Sequence, residues 1–138
     1  MTTICRARAL AGRLREPLDG LERGFLLETW ILHELRAAMA RLNTGGRIRY
    51  WRTPSCPFLP TWRWTSSGPA RHAVGFKVKA ATRWKKEYGL ALKILIADGA
   101  LDAGYGIYAG TDEFQDWPLR ILPLKRFFAD LTAGRLLR

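Results

Sequence analysis

A helical repeat of apolar residues between residues 21 and 43 is the clearest pattern in the chain. Phe25 and Trp30 widen the apolar stripe, and Gly45 and Gly46 follow its end. The pattern therefore predicts one long, well-buried helix. Its inward-facing residues recur at three- or four-residue spacing: Leu27, Ile31, Leu35, Ala38 and Leu42.

Strand-like alternation follows over residues 47–53, where Ile48 and Tyr50 alternate with arginines and a tryptophan, and Pro54 closes the strand. The next stretch, residues 54–70, contains four prolines and two tryptophans. Because proline cannot donate a hydrogen bond inside a sheet, this composition predicts an irregular loop.

Residues 72–80 predict a second strand with two different faces. Val74, Phe76 and Val78 form an apolar face, and the opposite face carries Lys77 and Lys79.

A helix over residues 83–97 is predicted to follow, with Leu90, Ile94 and Ala97 turned inward. Three cations fall in its first turn, where they oppose the helix dipole. A bound phosphate would reverse that cost, so this helix start is a candidate anion site. The three residues are Arg83, Lys85 and Lys86.

The last part of the chain predicts a buried strand over residues 103–110, a short edge strand over 118–123 and a final helix over 124–131. Strands and helices alternate, which is typical of an α/β domain. We therefore expect one α/β domain over residues 20–138, with a mixed central sheet flanked by helices.

Residues 1–19 form a basic segment in which four arginines stand among Ala and Leu. We expect a short amphipathic helix there, either a solvated arm or, as we favour, the remnant of a preceding domain. The segment lacks the apolar core of a signal peptide, and no apolar run is long enough to cross a bilayer. We expect a cytoplasmic protein with no membrane partner, and the sequence does not predict its oligomeric state.

Composition bears on partners more than on chemistry. The chain has 23 Lys and Arg against 12 Asp and Glu, a formal net charge of +11. This balance favours polyanions such as nucleic acid, although solubility, genome composition or an acidic protein partner would also explain it. Two Cys and two His, all isolated, indicate neither a disulfide framework nor a metal site.

Several short motifs, taken in order, resemble one known family. They are GFLLETWILHEL at 24–35, YWRT at 50–53, VKA at 78–80, IYAG at 107–110 and ILP at 121–123. Together they are similar to the C-terminal domain of a bacterial and archaeal family of AAA-type ATPases. The resemblance implies a PD-(D/E)xK, restriction-endonuclease-like fold. It covers roughly residues 20–137.

The resemblance also implies what has been lost. In that family one strand carries Glu-Val-Asp-Phe and the next carries Glu-Val-Lys; the two carboxylates hold Mg²⁺, and the lysine steadies the attacking water. Here the second motif is Lys77-Val78-Lys79, and the first is absent from residues 54–70. The catalytic remnant is Glu28, Lys77 and Lys79. We expect no cofactor, and we expect Glu28 to form a salt bridge with the lysines.

The missing acidic motif lies one reading frame away if Arg63 is encoded by AGG. The codons of residues 62–65 would then run TGG-AGG-TGG-AC, and reading from the third base spells GAG-GTG-GAC, which encodes Glu-Val-Asp. We therefore hypothesise that a pair of compensating frameshifts replaced the metal-binding strand.

Three functions follow from these observations. The leading hypothesis is an inactive nuclease-like domain, derived from an ATPase, that binds polyanions through Lys77, Lys79, Arg83, Lys85 and Lys86. A Mg²⁺-dependent nuclease would need Glu28 and Lys79 with Asp98 or Asp102. A protein-interaction module of an ATPase would use Trp51, Trp62 and Trp64 as anchors. The chain carries no GxxxxGK[ST] loop, so ATP hydrolysis is not expected of it.

Overall fold

The computed structural model describes residues 3–53, 56–67 and 71–137, and places four α-helices and six strands in them. In chain order these are α1 (Thr3–Leu10), α2 (Gly20–Leu42), β1 (Arg47–Thr53), β2 (Cys56–Thr65), β3 (Ala73–Lys79), α3 (Leu90–Ala97), β4 (Ala103–Tyr108), β5 (Phe114–Asp116), β6 (Leu119–Pro123) and α4 (Leu124–Thr132). A short 3₁₀ helix, Lys86–Gly89, precedes α3.

The six strands form one mixed sheet in the order β1-β2-β3-β4-β6-β5. β3, β4 and β6 run parallel, whereas β1, β2 and β5 join antiparallel to their neighbours. The crossover from β3 to its parallel neighbour β4 passes through α3, as parallel strands require. The predicted α/β class, with a mixed sheet flanked by helices, is confirmed.

Helices α2 and α4 cover one face of the sheet over the larger core. Ile31, Leu35 and Ala38 of α2 are buried there, as the helical repeat predicts. Phe25 and Trp30 do not extend the buried stripe, because they remain 48% and 49% exposed. The helix begins with a capping box and ends at a left-handed residue just before the two glycines.

The basic N-terminal segment contains the predicted helix, α1, although residues 1 and 2 lie outside the described residues. Arg8 is buried and pairs with Glu22 in the first turn of α2. It also donates a hydrogen bond of 2.8 Å to the carbonyl oxygen of Arg13. The segment is therefore joined to α2 by a buried cation.

The prediction of an irregular loop over residues 54–70 is wrong for its central part. Residues 56–65 form β2, which lies inside the sheet between β1 and β3. Two of the prolines fall within residues 57–60, between the paired positions Cys56 and Thr61, where the register with β1 shifts. The prolines thus avoid the regular ladder. Pro54 and Pro69 lie outside the described residues.

The predicted helix over residues 83–97 is shorter and faces the other way. α3 begins only at Leu90, and Ala91, Leu92 and Leu95 are its buried residues. Leu90 and Ile94 are 52% and 56% exposed. The helix is apolar on nearly every side, so its inward face depends on the sheet, where glycines leave room for Leu92.

The remaining elements follow the prediction with one correction. β3, β4 and α4 form close to their predicted bounds. β6 is not an edge strand, because the three-residue strand β5 pairs with it and becomes the edge. So short a strand shows no clear alternation in the sequence. No helix of the described residues is both long and apolar enough to cross a membrane.

Candidate functional site

Two residues of the predicted catalytic remnant, Lys77 and Lys79, lie at the carboxyl end of β3. Lys77 and Lys79 both point away from the α2 core, because they alternate with Phe76 and Val78, which are buried in it. Lys77 lies in register with Gly106 of β4 and is completely buried. Because its side chain is not at the surface, Lys77 is not counted among the exposed cations described below.

Glu28 of α2 lies near enough to both lysines for their charges to act on its carboxyl. Burial raises the pKa of its carboxyl above the ordinary value of 4.5, while attraction to Lys77 and Lys79 opposes the rise. That attraction is the electrostatic part of the predicted salt bridge, and burial outweighs it. A divalent cation here would meet one carboxylate with a raised pKa and two ammonium groups, which is unfavourable.

The two other acids considered for a nuclease site lie at the opposite end of β3. Asp102 accepts a hydrogen bond of 2.7 Å from the N–H of Ala73 and lies 3.3 Å from Nδ1 of His72. Asp98 caps the C-terminus of α3 and is exposed. The fold therefore does not bring either acid to Glu28. Within the described residues, no group of three metal-ligating side chains occurs.

The basic segment between β3 and α3 differs from the predicted anion site at a helix start. Arg83 and Lys85 precede both helical elements, and Lys86 is the first residue of the 3₁₀ helix. All three side chains are exposed. Lys79 adds a fourth cation, whose Nζ lies 4.9 Å from the ring centroid of Tyr88. This basic surface, Lys79 with Arg83, Lys85 and Lys86, is accessible to a large polyanion.

The tryptophans proposed as partner anchors are largely structural. Trp64 is only 2% exposed, and Trp62 is half-buried with its ring 4.7 Å from that of Tyr50. The side chain of Trp51 lies outside the described residues. The bland interpretation, in which these residues complete the core, is confirmed for Trp64. Among the tryptophans whose side chains are described, Trp117 is the most exposed, at 80%.

A second cationic feature was not foreseen from the sequence. A pocket of about 430 Å³ opens on the sheet face that carries α3, at the β1–β2 end. We call it the arginine pocket, because four arginines line it: Arg47, Arg49, Arg63 and Arg71. The alternation of residues 47–50 indicates from the sequence alone that Arg47 and Arg49 lie on one face of a strand. Arg63 can be placed on that face only once β2 is known to be a strand.

Comparisons of the chain with known protein families, curated proteins and solved structures found no match. The geometry of the two cationic features is therefore the basis for a function.

Proposed function

We propose that this chain is a nuclease-like domain of the PD-(D/E)xK type that has lost its metal site and binds nucleic acid through charge. The observation that carries the proposal is the basic surface at the carboxyl end of β3, next to a buried lysine where the resembling family has a metal-binding glutamate. Derivation from the C-terminal part of an AAA-type ATPase belongs to the same proposal.

The order of β2 and β3 supports the restriction-endonuclease-like part of the proposal. The resemblance requires the two acidic motifs on consecutive strands, and β2 does pair with β3 through residues 62–65. In this chain the strand carries Trp and Arg rather than Glu and Asp. Thr61, one position beyond the Trp62–Phe76 pair, is buried like Lys77.

Loss of catalysis follows from the chemistry of these side chains. Metal-assisted hydrolysis of a phosphodiester needs carboxylates that hold Mg²⁺ beside the scissile phosphate. A hydroxyl and an ammonium group at buried positions on the two strands offer no such ligands. Glu28 alone supplies one carboxylate, and burial favours its protonated form. Purified protein is therefore expected not to cleave DNA or RNA when Mg²⁺ is added.

Binding without cleavage follows from exposed charge. Arg83, Lys85 and Lys86 are exposed, and no ion pair in the described ranges includes them. With a net charge of +11, the protein attracts a polyanion from a distance. Three phosphate contacts would make the logarithm of the binding constant fall with the logarithm of salt concentration at a slope of about −3.

The test is fluorescence anisotropy with a labelled DNA duplex over a series of salt concentrations. Arg83→Ala/Lys85→Ala/Lys86→Ala should weaken binding at least about tenfold and make the salt slope shallower by about 3. The matched control removes the same charge at exposed arginines elsewhere: Arg6→Ala, Arg15→Ala and Arg36→Ala. Equal binding by the two triple variants would contradict a role for the basic surface.

Two further outcomes separate the alternative functions. Mg²⁺-dependent cleavage that is abolished by Glu28→Gln would show an active nuclease and overturn the loss of catalysis. Binding of a protein partner that persists at high salt would instead indicate a docking module.

The frameshift hypothesis has its own test, which is the gene sequence across Thr53 to Lys79. Codons that spell Glu-Val-Asp-Phe in the shifted frame would support it. The Trp-rich segment fits the fold better than its composition suggests, because it pairs as a regular strand from Trp62 onward. Any other codon set across residues 62–65 would end the hypothesis.

A further inference from the structure

We infer that the arginine pocket is a second binding site, separate from the basic surface, for closely spaced phosphate groups. Arg47 and Arg49 come from β1, Arg63 from β2, and Arg71 from the segment that leads into β3. The inference does not rest on the proposed function, because the two cationic features use different residues.

The arginines converge because of strand alternation. Ile48 and Trp64 pack against the α2 core, so Arg49 and Arg63 must point to the opposite face of the sheet. The register places Arg49 directly opposite Arg63. Like charges in directly opposed positions repel each other. An anion bound between them would turn this repulsion into attraction.

The fourth arginine, Arg71, lies next to a residue that is hydrogen-bonded to the end of β2. Ser66 and His72 exchange two hydrogen bonds, each of 2.9 Å: the N–H of Ser66 donates to the carbonyl oxygen of His72, and the N–H of His72 donates to Oγ of Ser66. These bonds hold the start and the end of the segment together. Arg71, next to His72, therefore lines the same pocket as the β1 arginines.

The pocket contains no acidic side chain among its lining residues. Some arginines elsewhere in the described residues pair with carboxylates, namely Arg8, Arg13, Arg120, Arg126 and Arg135. In the part of the chain that the structure describes, no ion pair includes Arg47, Arg49 or Arg71. Three arginines on one concave surface thus lack a protein counter-charge.

The lining offers hydrogen-bond donors that fit the oxygen atoms of a phosphate group. A guanidinium donates two parallel hydrogen bonds to a phosphate, a geometry that lysine cannot copy. Thr65 and Ser67 add hydroxyl donors beside the arginines. None of the lining residues that the structure describes is aromatic, so none of them offers a ring on which a base could stack. Recognition of phosphate groups without sequence preference follows from this lining.

The size of the pocket favours more than one phosphate. Its volume of about 430 Å³ lies in the range of about 300–1,000 Å³ that is typical of small-ligand sites. At about 30 Å³ for each water molecule, it holds roughly fourteen waters. Closely spaced phosphates meet this description, either in a free oligophosphate or in a nucleic-acid backbone.

The two cationic features are far enough apart to be tested separately. The pocket residues lie level with Ala73 to Gly75 at the start of β3, and the basic surface follows its end at Lys79. At about 3.3 Å per residue, the separation along the strand is on the order of 15–20 Å. Variants at one feature leave the side chains of the other in place.

The experiment uses the full chain and two probes: inorganic tripolyphosphate in calorimetry and a labelled single-stranded DNA in anisotropy, both at about 0.15 M salt. Arg49→Gln/Arg71→Gln should weaken one or both probes at least about tenfold. The matched control, Arg6→Gln/Arg36→Gln, removes the same charge at exposed positions and should change neither probe by more than about twofold.

The two probes distinguish the sources of phosphate. Loss of tripolyphosphate binding identifies a compact oligophosphate site, whereas loss of DNA binding alone identifies a backbone site. Arg49→Lys/Arg71→Lys keeps the charge but removes the paired donors, and should restore less than half of the lost binding free energy. Equal affinities of the pocket variant and its control for both probes would overturn the inference, provided that thermal unfolding shows both to be folded. The Arg83/Lys85/Lys86 triple variant should still bind tripolyphosphate normally, so this test can fail independently of the proposed function.

Discussion

Trp64 of β2 lies directly opposite Val74 of β3, and both side chains are buried in the core beneath α2. The indole N–H of Trp64 lies 3.4 Å from the carbonyl oxygen of Gly45, which ties the start of β1 to this core. A segment whose composition suggests a loop thus supplies one of the largest buried side chains of the protein.

Trp64→Ala should therefore destabilise the protein by about 3–5 kcal/mol, because it leaves a large cavity beside Val74. Urea unfolding followed by circular dichroism measures the loss. Trp117→Ala removes the same side chain at a position that is 80% exposed and should cost less than about 0.5 kcal/mol. Similar losses in the two variants would show that Trp64 is not part of the core.

Gly106→Ala should destabilise the protein by about 1–3 kcal/mol through overpacking. An added Cβ would lie 2.5 Å from the ring of Trp84 and 2.7 Å from Ile121. The control is Gly24→Ala in the second turn of α2, where a Cβ would have no neighbour within 4 Å. That change should stabilise the protein by about 0.5–1 kcal/mol, since alanine favours a helix. Thermal unfolding of the pair gives opposite signs if the packing is as described.

Removing the charge of Asp130 should lower the free energy of unfolding by about 1.5–3 kcal/mol, because its buried carboxylate accepts hydrogen bonds from charged groups. It is 1% exposed and lies 3.1 Å from Arg135 and 3.3 Å from Arg126. Asp130→Asn keeps the shape and removes the charge. Glu16→Gln breaks an exposed pair with Arg13 and should cost less than about 1 kcal/mol. If the two variants unfolded at the same denaturant concentration, the expected difference would be contradicted.

The stability of the protein should depend on pH through Glu28. Burial raises the pKa of Glu28 in the folded state. The stability that Glu28 contributes is therefore fully present below its unfolded pKa of about 4.5, and it is lost as pH rises through the folded pKa. Glu28→Gln should remove this decline and give a higher melting temperature than wild type at neutral pH. Melting curves between about pH 4 and about pH 7 measure it.

The control for this pH dependence is Glu87→Gln, at an exposed glutamate in the segment before α3. Its melting curves should follow the wild-type decline. If Glu28→Gln declines with pH as steeply as Glu87→Gln does, burial of Glu28 is not the cause.

The local pattern of apolar residues predicts those elements that have one apolar and one polar side. α2, β3 and α4 follow the sequence prediction because each has one apolar side that only one secondary structure can align. The resemblance to a known family predicts a shared site for Glu28, Lys77 and Lys79, and that site remains a prediction.

Tertiary structure alone decided the rest. The prolines of β2 make its sequence resemble a loop. Only the pairing of β2 with β1 shows that these prolines fall where the register shifts. The apolar sequence of α3 permits several inward faces, and the glycines of β3 and β4 select one. Burial of Lys77 and convergence of the arginine pocket depend on strand order and register. Strand order and register depend on contacts between residues far apart in the chain, and the pattern of a local segment does not specify such contacts.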